Sequence, residues 1–318
     1  MTLPDSGANS RPRAGGTSLE RRLDAAARRL LATAPEHGGR AALVEFAVFL
    51  TKQAWACVFG ASLLVVIVAV RLWWPDDGPV APNDALTIAA VLIQAAMLLG
   101  RLETGREVWV IVLFHVTGTV MELFKTDVGS WTYAAEGVLR IGGVPLFSGF
   151  MYAAVGSYLV RVHRLFDLRF DRYPPVWLTT ILAAAIYANF FTHHFWWDAR
   201  WVLVALVVLL WAPTVMSART WRRTLRLPVL AAFAGVAIFI YAAENIGTWA
   251  RAWTYPDQTD GWQPVSASKL VSWLLLMIIS VVMVTWVYPP QRSPRSGSRR
   301  SGGSAGDASD AGRRRRGA

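Results

Sequence analysis

Long apolar runs broken by short polar joints set the plan of the chain. Eight such runs follow one another, at about residues 43–74, 84–100, 108–125, 142–160, 174–197, 201–217, 228–248 and 265–288. Each approaches the length of helix that crosses a bilayer, roughly 20 residues. Asp84 stands where a helix N-cap belongs, and Pro174-Pro175 and Pro228 mark helix starts. The pattern predicts an all-α integral membrane protein with eight transmembrane helices.

The ends are different in kind. Residues 1–41 form a basic tail in which Leu19, Leu23, Leu30 and Leu31, with Arg between them, predict an amphipathic helix over 18–33 lying on the inner leaflet. Residues 1–17 and 291–318 are rich in Gly, Ser and Arg and predict disorder. No cleavable signal peptide is expected, because the first forty residues hold no apolar core of that kind.

Charge fixes the predicted orientation. With both termini cytoplasmic, the inside loops and tails carry 25 Lys and Arg, and the outside loops carry five: Arg71, Lys125, Arg140, Arg200 and Arg251. A bias that alternates at every loop is the positive-inside signature, and adding or removing one span would break it. The net charge of +11 therefore points to the cytoplasmic face and to membrane lipid as partner, not to nucleic acid. Composition agrees: 54% hydrophobic, 17% charged, 16 Trp and a mean hydropathy of +0.36 describe a membrane chain. A single cysteine, Cys57, excludes an intrachain disulfide and a thiolate metal cluster, and reads as a small core residue.

Two stretches repeat. Glu122, Thr126, Trp131, Thr132 and Tyr133 recur as Glu244, Thr248, Trp253, Thr254 and Tyr255, each 122 positions later. The offset carries the third and fourth runs onto the seventh and eighth, and more loosely the first and second onto the fifth and sixth. The expected units are thus residues 42–165 and 166–290. An even number of spans per half makes the two halves parallel, related by a pseudo-two-fold along the membrane normal.

Both motif copies fall at the outer end of a span. A carboxylate there is costly and should face the bundle with a partner. Glu122 and Glu244, brought together on the pseudo-two-fold, would make one proton donor and one carboxylate, and are the candidate catalytic pair. A plainer account makes Trp131, Tyr133, Trp253 and Tyr255 interfacial anchors and pairs Glu122 with Lys125 on its own helix. Asn189, His193, His194, Asn245 and Lys269 reach the same level and join the four aromatics as candidate substrate-binding residues. His115, two turns below Glu122, is either a second polar layer or an interhelical hydrogen bond. The adjacent His193 and His194 point about 100° apart and do not form a chelate. One of them could complete a metal site with the two Glu residues, but a hydrogen-bonded interfacial His is the simpler role, and no metal or cofactor is expected. Lys52 reads as snorkelling to the inner surface or lining a cavity floor, and the glycines from 142 to 156 as close helix packing. No P-loop, Gly-x-Ser-x-Gly or His-Glu-x-x-His string is present.

The combination of Phe49-x-x-Lys52-Gln53-Ala-Trp-Ala-Cys57, Asn189-Phe-Phe-Thr-His193-His194-Phe195 and the Glu122, Trp131-Thr-Tyr133 block resembles the bacterial multi-pass membrane family catalogued as domain of unknown function 817. The resemblance covers about residues 43–290, implies a bacterial plasma-membrane protein and supplies no activity. A second likeness is to lycopene cyclase-like and carotenoid hydratase-like membrane proteins, in an acidic residue before an aromatic outer loop and a Val144-Pro145 helix start. It transfers no residue role. Three functions stay open: an enzyme doing acid chemistry on an apolar, isoprenoid-like lipid, a proton- or cation-coupled small-molecule transporter, and a structural membrane subunit. Oligomeric state is open as well.

Overall fold

The computed structural model describes residues 38–292 apart from 76, 77, 104 and 135, together with Arg22, Ala25, Ala26 and Arg29, which are helical. Most of the predicted surface helix over 18–33, residues 1–17 and the tail beyond 292 lie outside the described residues.

Nine α-helices follow one another between residues 39 and 287: α1 (Gly39–Ala56), α2 (Val58–Trp73), α3 (Pro82–Leu99), α4 (Gly105–Asp127), α5 (Phe147–Leu165), α6 (Val176–Thr192), α7 (Arg200–Trp211), α8 (Val229–Trp249) and α9 (Ser268–Val287). Four of them, α3, α4, α8 and α9, are long and apolar enough to cross a membrane. The pair α1–α2, bent by 66° at its break, makes a fifth if counted as one span. Helices α6 and α7 are apolar but shorter, so length and composition assign four or five crossings where eight were expected.

The departures from the expected boundaries have local causes. Lys52 does not snorkel. It is buried, and its Nζ donates to the carbonyls of Leu165 (3.2 Å) and Thr220 (2.6 Å), which ties α1 to the loop layer while α2 turns into the bundle. Asp84 does not cap α3, which starts at Pro82; its carboxylate accepts the backbone N–H groups of Val138 and Leu139 across the bundle end. The run expected to begin a helix at 142 instead forms a hairpin of β1 (Arg140–Ile141) and β2 (Val144–Pro145). Its two-residue turn is Gly142-Gly143, and Gly142 has φ +57°.

The sixth apolar run stops being helical at Trp211 and continues as a strand. Strands β3 (Arg169–Asp171), β4 (Val215–Arg219) and β5 (Thr224–Pro228) form an antiparallel sheet in the order β3-β4-β5. Phe170 also donates its N–H to Gln291 at 2.8 Å, so the chain after α9 joins the same layer. Loops predicted to be cytoplasmic therefore gather at one end, the sheet end. Residues 128–146, 193–199 and 250–267 gather at the other, the motif end.

Helices α5 and α9 are central. Helix α5 packs against α1 to α4 and α9, and α9 packs against α4 to α8. Helices α4 and α5 approach closely because glycines line the contact: a Cβ at Gly118 would lie 2.4 Å from the Tyr152 ring, and one at Gly156 2.9 Å from the Phe114 ring. Near the sheet end a buried polar group lies between the helices. Arg161, assigned by its charge to a cytoplasmic loop, is inside α5 and 0% exposed, 3.5 Å from Glu103 and 5.5 Å over the Trp55 ring. Glu103 also accepts from Gln94 (2.7 Å) and Ser157 (3.2 Å), and Glu107 pairs with Arg164. Burial is tolerated here because each charge has partners.

Overpacking a close contact of this kind costs about 1–3 kcal/mol. Gly118→Val should lower the thermal unfolding midpoint in detergent, whereas Gly105→Ala, which meets open space, should leave unfolding stability within about 0.5 kcal/mol of the parent.

Candidate functional site

Glu122 projects from the last turns of α4 and is 3% exposed. Its Oε2 accepts from Trp131 Nε1 (2.9 Å) and the Tyr133 hydroxyl (2.8 Å), and its Oε1 from the Tyr152 hydroxyl (2.8 Å). Glu244, on α8 and also 3% exposed, accepts from the Tyr255 hydroxyl and from Trp273 Nε1. Glu122 does not pair with Lys125. Neutral donors on a carboxylate favour its charged form, and in a dry setting each such bond contributes about 1.5–3 kcal/mol. Burial and then the Glu122 charge hold the Tyr133 phenol well above its ordinary value, and burial and then Glu244 do the same for Tyr255. Both phenols are therefore donors at physiological pH.

The two motif loops meet. Thr132 and Thr254 exchange backbone hydrogen bonds in both directions at 2.9 Å, an antiparallel bridge between identical positions of the two copies. The Trp131 and Tyr255 rings stand edge to face with centroids 6.1 Å apart. Lys269 Nζ lies 4.2 Å from the Tyr255 ring centre and 5.9 Å from that of Trp131, between the copies. Among the described residues no hydrogen bond joins the two carboxylates. Trp131, bonded to Glu122, and Tyr255, bonded to Glu244, stand in contact between them.

The copies differ in instructive ways. Trp131 reaches Glu122, but Trp253 does not reach Glu244. It lies over Gly247, where a Cβ would be 2.3 Å from its ring. Gly247 stands at the position of Lys125 in the first copy, so the glycine makes room for the ring. Tyr152 and Trp273, the additional donors, were not anticipated. The offset of 122 maps Tyr152 to Leu274 and Trp273 to Met151, so the repeat gave no signal for them.

The remaining candidates divide. Asn245 is used by its own loop, its Oδ1 accepting from Val265 N (2.9 Å) and its Nδ2 donating to Tyr241 O (2.8 Å). Asn189 likewise holds residues 198 and 199, through Asp198 (3.2 Å) and the Ala199 N–H (3.0 Å). His194 and Asp198, four residues apart, share no helix face because α6 ends at Thr192, and Asp198 pairs with Arg200 at 3.2 Å. His193 Nδ1 lies 2.8 Å from Asn189 O, and His194 Nε2 lies 2.8 Å from Lys125 Nζ. His115 makes no interhelical hydrogen bond among the described residues; its Nδ1 is buried without a partner and its ring packs edge-on to Phe150 at 4.5 Å. Among the described residues no three His, Cys, Asp or Glu side chains gather closely enough to hold a metal.

A cavity of about 470 Å³ lies elsewhere, toward the sheet end, between α1, α5, α8, α9 and the three-stranded sheet. Its wall is mainly apolar, including Phe49, Phe166, Phe233, Val236 and Met277, with Gln53, Tyr158, His163, Tyr173 and Thr285 among them. Nε2 of His163 is buried with no partner among the described residues. Burial pushes the Tyr173 hydroxyl up to about 12, so it faces the cavity as a neutral group.

Comparison with known proteins adds the following. A family model described as a protein of unknown function (DUF817) matches residues 45–281. The chain is 41% identical over 244 residues to the uncharacterized protein YoaT of Bacillus subtilis (strain 168), covering 76% of this chain and 91% of that protein. No solved structure matches.

Removing one donor from a buried carboxylate leaves part of its charge unsatisfied. Tyr133→Phe and Tyr255→Phe should each lower unfolding stability by about 1–3 kcal/mol. In double-mutant cycles with Glu122→Gln and Glu244→Gln respectively, each tyrosine should couple to its own carboxylate and not to the other.

Proposed function

We propose, from the premise that this chain belongs to the DUF817 family, that it is an eight-span plasma-membrane protein of two parallel four-helix halves that binds an apolar small molecule in the cavity at its sheet end. The pairing of helices supports the halves. Helix α4 packs on α5 as α8 packs on α9, α2 and α3 flank α5 as α6 and α7 flank α9, and α4 meets α6 as α8 meets α2. Each relation is its counterpart moved on by four spans. The positive-inside bias supports a cytoplasmic sheet end and an outer motif end.

The cavity is the observation that carries the ligand reading. Its volume of about 470 Å³ falls within the ~300–1,000 Å³ of small-molecule sites, and such sites are mainly apolar with a few polar groups that orient the ligand. Gln53, His163 and Tyr173 would orient the polar end, and the ligand's apolar body would lie against α8 and α9.

On this reading the paired motifs clamp the two halves at the outer end. Acid chemistry at Glu122 or Glu244 would first require a tyrosine to swing off the carboxylate. Coupled transport would require a polar path, and the cavity wall is mainly apolar. The clamp reading accounts for all five bonds to the two carboxylates without either change.

The ligand reading is tested with Ala232→Phe, which adds a ring to the cavity wall, against Ala231→Phe, an exposed neighbour outside it. Mass spectrometry of solvent extracts should find an apolar compound in the wild type and in Ala231→Phe, and lose it in Ala232→Phe. An empty wild-type protein, or equal occupancy in all three, would sink the proposal. The topology is tested by cysteines in a Cys57→Ser background. Thr132→Cys with Thr254→Cys should form an intrachain disulfide, since hydrogen-bonded antiparallel positions have Cα atoms about 5.5 Å apart. Either cysteine alone should react with a membrane-impermeant maleimide added to intact cells.

A further inference from the structure

At the motif end a buried lysine lacks a counter-charge among the described residues. Lys125 is 5% exposed, at the last turn of α4. Its Nζ meets the imidazole of His194 at 2.8 Å and the Phe190 ring at 5.7 Å, and no carboxylate lies within ion-pair distance of it. A buried ammonium without an anion is costly, and in membrane proteins such a group marks a functional site. Lys269 and Arg200 lie close enough to Lys125 to repel it. The acidic groups nearby are already engaged: Asp198 by Asn189 and Arg200, and Glu244 by Tyr255 and Trp273. Asp257 and Glu244 act on Lys269 through space, without an ion pair.

Donors suited to an oxyanion surround the same spot. Ser130 Oγ lies 3.4 Å from His194 Nε2, and Lys269 Nζ is bracketed by the Tyr255 and Trp131 rings with no ion pair. Directly beside His194 the chain exposes Phe195, Trp196 and Trp197, at 74%, 85% and 73%. Exposed tryptophans in a row belong at the headgroup level of a bilayer. Cations and a hydroxyl set beside an aromatic patch at that depth match one chemistry, a phosphate with an acyl chain attached.

We propose that Lys125, Lys269, His194 and Ser130 form a site for a phosphate group, held there as the headgroup of an anionic phospholipid whose chains lie against Phe195, Trp196 and Trp197. The site is independent of the apolar cavity at the opposite end. Lys125 and Lys269 supply the charge-assisted bonds. They also come from α4 and α9, so an occupied site would bridge the two halves beside the Thr132–Thr254 contact.

The full-length protein in a neutral detergent is titrated in two arms, one with inorganic phosphate and one with short-chain phosphatidylglycerol, with short-chain phosphatidylcholine as the reference lipid. Binding is read by thermal shift and by calorimetry. Phosphatidylglycerol should bind more tightly than phosphatidylcholine and should raise the unfolding midpoint, and added salt should weaken it. Lys125→Gln and Lys269→Gln should each weaken binding about tenfold or more, and Lys269→Arg should retain it. Lys125→Gln should also fold at least as stably as the wild type in lipid-free detergent, because it removes an uncompensated charge. Binding of phosphate alone, without preference for phosphatidylglycerol, would keep the anion site and overturn the lipid assignment. No binding in either arm, or affinity unchanged in both Gln variants, would overturn the site itself. Should Lys125→Gln fail to fold, Lys269→Gln decides the question.

Discussion

Two carboxylates kept out of water within an apolar bundle are the constraint on which the motif end depends. Glu122 and Glu244 are each 3% exposed and neither has a direct ion-pair partner. An unpaired buried charge costs several kcal/mol, so both must be met by fixed donors. The donors are aromatic, which suits the setting: indole N–H and phenol O–H groups carry one polar atom on a large apolar body. Placing them then dictates further residues. Tyr152 reaches Glu122 only because position 118 is glycine, and Trp253 lies flat only because position 247 is glycine. The loops that carry Tyr133 and Tyr255 are held in register by the exchange of backbone bonds at Thr132 and Thr254.

That dependence explains which parts of the architecture were legible in the sequence. The Glu and Tyr letters recur because both copies meet a buried carboxylate with a phenol eleven residues along the chain, and the Thr letters because Thr132 and Thr254 pair with each other. Periodicity located the apolar helices, four or five of them long and apolar enough to cross a membrane, and loop charge sorted most connecting segments into the two groups that gather at opposite ends. The donors Tyr152 and Trp273 were invisible, since they arrive from other helices through tertiary contact and fall one residue out of register with the repeat. The break at Cys57, five residues past Lys52, was also hidden. A lysine in an apolar run reads as a snorkelling side chain until its two carbonyl acceptors, Leu165 and Thr220, are seen. The strands β3 to β5 were hidden because they are short and lie in Arg-bearing segments that read as charged loops, and β4 continued an apolar run. The cavity leaves no pattern in the sequence, because it is volume that large residues fail to fill.

The asymmetry between the two motif copies carries the argument one step further. If the motif only clamped two equivalent halves, selection on the clamp alone would favour the same residue at positions 125 and 247. They are instead a buried lysine and a glycine. Gly247 completes the clamp by admitting Trp253, whereas Lys125 contributes nothing to Glu122 and adds an electrostatic cost. Among the buried charges of this bundle, Glu122 and Glu244 are met by aromatic donors, Arg161 by Glu103, Glu107 by Arg164, and Lys52 by two carbonyls. Lys125 has a single acceptor, the His194 imidazole, where Lys52 has two carbonyls. The cost borne at Lys125 is best explained by a ligand whose own charge completes the set.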